Sequence, residues 1–124
     1  MKVLITTVPF GHNNKLPLDL LKKSKLEFLI NPLNKKLTEE ELGKMITDFD
    51  ILIAGTEKIS EKVLSNAPKL KHISRVGIGL DGINLLAAKR RGIKISYTPD
   101  VPAPAIAELT IGMMLTLLRS THVS

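Results

Sequence analysis

The chain changes its hydrophobic period at short, regular intervals, and this alternation constrains its fold more than any other feature. Short apolar runs occur at Val3-Leu4-Ile5, Leu26 to Ile30, Asp50-Ile-Leu-Ile-Ala54, Ile73 to Val76 and Ile93-Lys-Ile95. Their length suits buried strands. Between them lie stretches with helical spacing and start signals. Leu16 to Lys23 reads as a short helix. Thr38-Glu-Glu-Glu41 is a capping box, in which the Thr38 hydroxyl takes the N–H three residues on and Glu41 reaches back. It opens a helix with Leu42, Met45 and Ile46 on one face. Ser60 is placed to cap a helix that buries Val63 and Leu64. A further helix, Leu85 to Arg91, ends at Gly92, whose left-handed turn closes it.

Apolar strands separated by helices pair in parallel and are covered on both faces. The expected architecture is therefore α/β, a flavodoxin-like five-stranded parallel sheet with helices on both faces and strand order 2-1-3-4-5. Ligands of such sheets bind beyond the carboxyl ends of the strands. Those ends are Thr6–Gly11, Ala54–Thr56, Val76–Asp81 and Tyr97–Asp100.

The last segment departs from the alternation. Asp100-Val-Pro-Ala-Pro-Ala105 is expected to exclude regular structure, and residues 106–118 to form a helix. Ile106, Leu109, Met113 and Leu117 mark one side; Ile111, Met114, Leu115 and Leu118 cover much of the rest. A helix apolar nearly all round must be covered on most faces. One small sheet covers only one, so a second domain or a partner subunit is expected against it, unless the helix simply closes the domain. Association as a homodimer through 106–118 is the expectation.

Gly77, Gly79 and Gly82 spell G-x-G-x-x-G after a strand. Three readings are open: a dinucleotide site, a plain turn, or a site for a small anion. The dinucleotide fingerprint requires a long helix opening at its last glycine. Here the helix would run only from about Asn84 to Arg91, and Asp81 would oppose a pyrophosphate inside the loop. Glycines do let a backbone approach an anion closely, and successive N–H groups form a small positive nest.

Composition narrows the function classes. The net charge is +6, but the positive residues are scattered, and one Tyr with three Phe is too few for base stacking, so no nucleic-acid partner is expected. A positive field still favours small anionic substrates. There is no cysteine, which excludes disulfides and thiolate chemistry. No metal site is read. The N-terminus lacks a signal-peptide pattern, and no apolar run reaches the roughly 18–20 residues that span a bilayer, so the expected location is the cytoplasm.

Five stretches in order carry a family resemblance: Ile51-Leu-Ile-Ala-Gly-Thr-Glu-Lys-Ile59, Arg75-Val-Gly-Ile-Gly-Leu-Asp-Gly-Ile-Asn84, Ala87-Ala-Lys-Arg-Arg-Gly-Ile93, Thr98-Pro-Asp100 and Ala107-Glu-Leu109. Together they resemble the N-terminal half of NAD-dependent D-2-hydroxyacid dehydrogenases, most of all the phosphoglycerate dehydrogenase type. Residues before 50 agree only in their alternation. The resemblance implies a two-domain oxidoreductase passing hydride between a small 2-hydroxy or 2-keto acid and NAD, with NADP left open. Residues 1–100 would be the substrate domain, lacking its C-terminal return. Residues 101–124 would be the helix crossing into a Rossmann domain that lies beyond Ser124. The family's catalytic arginine, glutamate and histidine would lie there too, leaving this piece inactive alone.

Carried over residue by residue, the resemblance makes the backbone N–H groups of Ile78 and Gly79 the donors to the substrate carboxylate. It makes Ile106 a neighbour of the nicotinamide or else a core residue; with the loop so used, Asp81 is left as a structural residue placed to cap the following helix. None of the three histidines matches the catalytic one. His12 lies near the cleft mouth, His72 starts a strand as a surface or edge residue, and His122 is near the chain end. Phosphoglycerate enzymes can place an arginine at the end of strand three; Ala54 and Gly55 stand there, against a phosphorylated substrate. The competing reading is a free-standing flavodoxin-like binding or regulatory module that pairs through 106–118. The sequence lacks a receiver domain's acids, having Thr6-Thr7-Val8 and Ala54-Gly55-Thr56 in their places, and lacks a flavin loop at Val8 to His12.

Overall fold

A computed structural model describes residues 1–100, 102–119 and 123. The strands are β1 (Lys2–Ile5), β2 (Glu27–Ile30), β3 (Ile51–Ala54), β4 (His72–Arg75) and β5 (Lys94–Tyr97). The helices are α1 (Leu16–Lys23), α2 (Glu39–Met45), α3 (Glu61–Ser65), α4 (Leu85–Arg90) and α5 (Ala103–Arg119), with one 3-10 turn at Ile46–Asp48. All strands pair in parallel, in the order β2-β1-β3-β4-β5. The fold is the flavodoxin-like α/β sheet expected from the alternation.

Parallel register aligns side chains across the sheet. Leu4 pairs with Leu52, Leu52 with Ile73, and Ile73 with Ile95. The first three of that row have no exposed surface. They pack with Leu42 and Ile46 after the α2 cap, Val63 and Leu64 of α3, and Ala87 and Ala88 of α4 in one core. On the opposite face Val3 and Ile5 are buried. There the row becomes polar toward β5, where Ile51 pairs with His72 and His72 with Lys94. Only the short α1 packs near that side of β2, and none of its residues is buried.

The starts of the helices follow local chemistry. Thr38 Oγ1 accepts the Glu41 N–H at 3.3 Å, and a Glu41 carboxylate oxygen accepts the Thr38 N–H at 2.9 Å. Ser60 caps α3 through the Val63 N–H. Gly92 takes φ +68°, the left-handed turn foreseen after α4.

Two expectations about the C-terminal segment change. The helix begins at Ala103, not 106, and runs to Arg119. Pro104 therefore lies inside the first turn, where its missing N–H has no intrahelical acceptor to lose and its fixed φ suits a helix. The alternative that this helix closes the domain is also overturned. None of its residues is buried, and Leu109, Leu117 and Leu118 are 64, 70 and 80% exposed. No helix among the described residues is long and apolar enough to cross a membrane. His122 and the rest of the unassigned tail lie outside the described residues.

Two outcomes test this account. Leu52→Ala should lower unfolding free energy by about 2–5 kcal/mol in urea titrations, because the residue is enclosed on all sides. Thr38→Ala should cost about 1 kcal/mol by removing the cap. The Glu41 carboxyl is held below its usual 4.5, first by the ion pair with Lys35 and then by the Thr38 N–H. A folded value below the unfolded one stabilises above pH 4.5 and is lost as pH falls through the lowered value. The stability difference between the wild type and Glu41→Gln should therefore be present at pH 7 and be lost as the pH falls below the ordinary carboxylate range.

Candidate functional site

The carboxyl ends of β1, β3, β4 and β5 converge on the loop from Val76 to Asn84. Val76 donates its N–H to Ala54 O at 2.9 Å, which extends the ladder by one residue. The chain then turns at Gly77, whose φ of +141° only glycine adopts without strain. A side chain there would also press on the Arg75 guanidinium. Thr98, just past β5, clamps Gly77 from both sides: its hydroxyl accepts the Gly77 N–H at 2.9 Å, and its own N–H donates to Gly77 O at 3.1 Å.

Beyond this clamp the backbone is open. Among the described residues, nothing accepts a hydrogen bond from the N–H of Ile78 or Gly79. Gly79 has no positive φ, and a Cβ built on it meets nothing within 4 Å. Neither backbone strain nor this chain's own packing therefore requires glycine there. What a bare Cα leaves at that position is room for something outside the loop.

The far limb of the loop is tied to the segment after β3. Ile59 donates to Gly82 O at 2.7 Å, and Asn84 donates to Ile59 O at 2.9 Å, forming a parallel bridge between Ile59 and Ile83. A Cβ on Gly82 would stand 3.2 Å from Glu57 O. The third glycine of the pattern thus serves this close approach. The helix that follows has six residues, and its N-terminus is closed by the Asn84 side chain on the Ala87 N–H at 3.0 Å. Asn84, not Asp81, is the cap, which corrects the expectation for Asp81. Asp81 stays exposed, three residues too early to reach the first helical N–H groups.

Two cavities adjoin the near limb of the loop, at Val76 and Ile78. One, of about 390 Å³, is lined by Ile78, Pro99, Asp100, Pro102, Ala103, Ile106 and Ala107. It brings together Ile78 and Ile106, two residues distant in sequence that the family pattern singled out. Both are about half exposed, at 53 and 55%, so Ile106 is not a core residue. Asp100 at its rim holds a left-handed φ of +63° and accepts the Ala103 N–H that starts α5.

The second, of about 140 Å³, lies over the sheet between β1 and β3, and Thr6, Thr7, Lys36, Gly55, Thr56, Glu57 and Val76 line it. Its floor is Glu57, only 3% exposed. Glu57 Oε1 accepts the Gly55 N–H at 2.9 Å and is bonded to the Thr6 hydroxyl. Asn31, also buried, accepts the Leu33 N–H at 3.0 Å and donates to Lys35 O at 2.7 Å, which sets the loop carrying Lys36 to the cleft. A Cβ on Gly55 would meet Glu57 Oε2 at 3.0 Å and Thr7 Cα at 3.1 Å, so a larger residue at the end of β3 would crowd both.

Glu57 and Thr98 were not distinguished by sequence reasoning. Both stood inside the motifs that carried the resemblance, where nothing in the residues alone set them apart from their neighbours. Of the histidines, His12 is exposed and lines neither cavity. His72 starts β4 as expected, but β4 is an inner strand, and Nε2 lies 2.8 Å from the Ser96 hydroxyl on β5. Among the described residues no group of three His, Cys, Asp or Glu side chains could hold a metal ion.

This geometry yields three checks by urea denaturation. Gly79→Ala should leave stability within about 0.5 kcal/mol of the wild type. Gly77→Ala should cost about 1–3 kcal/mol, because its φ is strained for any side chain. Thr98→Val should cost about 1 kcal/mol and speed amide exchange at Gly77.

The model for the D-isomer specific 2-hydroxyacid dehydrogenase catalytic domain matches residues 4–122. A hydroxypyruvate reductase of Thermotoga maritima is 37% identical over 82% of this chain and 35% of its own length. A D-3-phosphoglycerate dehydrogenase of Methanocaldococcus jannaschii is 43% identical over 68% of this chain and 16% of its own. The NAD+-bound 3-phosphoglycerate dehydrogenase of Entamoeba histolytica superposes with a TM-score of 0.81 at 32% identity, covering 94% of this chain and 38% of that one. The chain thus spans well under half the length of each of these relatives. It belongs to the D-isomer specific 2-hydroxyacid dehydrogenase family.

Proposed function

We propose that this chain is the substrate-binding unit of a cytoplasmic, NAD-dependent D-2-hydroxyacid dehydrogenase. In this reading the N–H groups of Ile78 and Gly79 hold the carboxylate of a small 2-hydroxy or 2-keto acid. The observation that carries it is the pair of unbonded N–H groups beside a glycine that the fold itself does not need. Successive free amides form an anion site through their partial charges, and the Thr98 clamp on Gly77 keeps that site ordered before the acid arrives. Preorganised donors of this kind lose little entropy on binding.

Residues 1–100 are the substrate domain, and 101–124 the segment that crosses toward a dinucleotide-binding domain. The cavity shared by Ile78 and Ile106 supports a place for the nicotinamide at Ile106, an apolar wall between acid and cofactor. NAD is the cofactor of this reading, with NADP as the alternative, because no residue of this wall is assigned to telling them apart. When bound, the cofactor supplies or accepts hydride; this chain's residues orient the acid. No residue among 1–124 is assigned the proton transfer. The two relatives named for phosphoglycerate carry that substrate in their own names, and Ala54 and Gly55 at the end of β3 put no arginine there for a phosphate in this chain.

The exposed apolar sides of α5 are proposed to pair with a second copy of the chain. An unpaired surface of this kind is unusual on a monomer.

Amide chemical shifts of the 15N-labelled chain during titration with glycolate test the site. Movement centred on Ile78 and Gly79, lost in Gly79→Ala, is expected; a still loop at 50 mM glycolate, on the order of the weakest useful affinity, would sink the reading. The chain alone should show no turnover of NADH with 2-keto acids. Sedimentation equilibrium should give a dimer that Leu117→Glu converts to monomer, and a monomeric wild type would refute pairing.

A further inference from the structure

We infer that the cleft over Glu57 is a second recognition point of the same site, selecting acids whose far end is a neutral hydroxyl and rejecting those ending in phosphate or a second carboxylate. This deepens the carboxylate-loop reading and rests on it for the orientation of the acid.

Carboxyl groups are almost never this buried unless they are paired or hydrogen-bonded. Glu57 Oε1 is occupied by the Gly55 N–H and the Thr6 hydroxyl. Oε2 has no hydrogen bond among the described residues, yet no fully enclosed side-chain oxygen lacks a partner there. Oε2 therefore opens into the cleft that Glu57 lines. Gly55 preserves that opening, since its missing Cβ would stand 3.0 Å from Oε2. The result is an acceptor on the floor, with the Thr7, Thr56 and Lys36 side chains around it.

A hydroxyl matches this set because it both donates and accepts. It gives its proton to Oε2 and accepts from the Thr56 hydroxyl or the Lys36 ammonium. A phosphate or carboxylate has no proton to give and brings negative charge against a buried carboxylate, where solvent screens little. Lys36 does not reverse that balance, because it is exposed and its attraction is screened by water and salt. The chain bounds the reach that a three-carbon acid would need. Val76 lines the polar cleft and Ile78 the apolar one. Two residues of chain separate them by at most about 7 Å. An acid built from bonds of about 1.5 Å covers roughly 5 Å from carboxylate to terminal oxygen.

The test uses the labelled chain with three probes: glycolate, D-glycerate, which adds a terminal CH2OH, and 3-phosphoglycerate, which replaces that hydroxyl by phosphate. D-glycerate should move the amides of Thr7, Gly55 and Thr56 as well as those of Ile78 and Gly79. It should also bind about tenfold more tightly than glycolate, the ratio of one hydrogen bond to a charged group. 3-Phosphoglycerate should bind more weakly than D-glycerate. In Glu57→Gln the glycerate preference should fall to twofold or less, and the penalty on 3-phosphoglycerate should shrink. If that variant fails to fold, the three wild-type affinities decide by themselves. Equal affinities for glycolate and D-glycerate, or tighter binding of 3-phosphoglycerate, would overturn the subsite while leaving the carboxylate loop standing. Movement at Thr7, Gly55 and Thr56 with a still glycine loop would keep the subsite and overturn the loop.

Discussion

The enclosed row Leu4–Leu52–Ile73 is the constraint on which the rest of this molecule depends. It runs across three adjacent parallel strands, and its burial under α2, α3 and α4 fixes their register. A slip of one residue in any strand would turn its apolar set to the other face. Because the register is held, β1, β3 and β4 end at one level. Thr6, Gly55 and Val76, each just past its strand, therefore meet at one cleft. The core is thus also the jig for the site.

The glycine loop shows how differently three glycines in one short pattern can be used. Gly77 is needed for its φ, Gly82 for the backbone that passes beside it, and Gly79 for nothing within the chain. A pattern match treats the three alike. Only the third use points outward, and it is the one on which the proposed carboxylate site rests. The ties around the loop are unequal as well. Thr98 clamps one limb and the Ile59–Ile83 bridge the other, while the tip between them stays unbonded.

The molecule has two unlike surfaces left over. The polar cleft is small and built from side chains of several elements, so it has the character of a recognition point. The exposed sides of α5 are long and apolar, with Ile106, Met113, Leu117 and Leu118 more than half exposed. They have the character of an interface, where area counts for more than any single contact. The cavity between Ile78 and Ile106 gives the glycine loop and the start of α5 a common wall.

Much of this was legible in the residues themselves. Strand alternation determined the fold class, because apolar strands separated by helices have few other ways to bury both faces. The caps at Thr38 and Ser60 and the stop at Gly92 were read correctly because they are local, settled by hydrogen bonds within four residues. The start of α5 was misjudged, since Pro104 breaks a helix interior yet fits a first turn, and the sequence does not say which it occupies. The residues alone point to Asp81 as the cap that Asn84 provides, because both precede the same helix and the choice turns on where the Ile59–Ile83 bridge ends the loop. Glu57 was beyond sequence reasoning altogether. Whether a carboxyl beside a lysine is solvated or enclosed depends on what arrives above it from elsewhere in the chain. Here Thr6 from the end of β1 and the bare Cα of Gly55 do so, and only the parallel pairing of β1 with β3 brings them there.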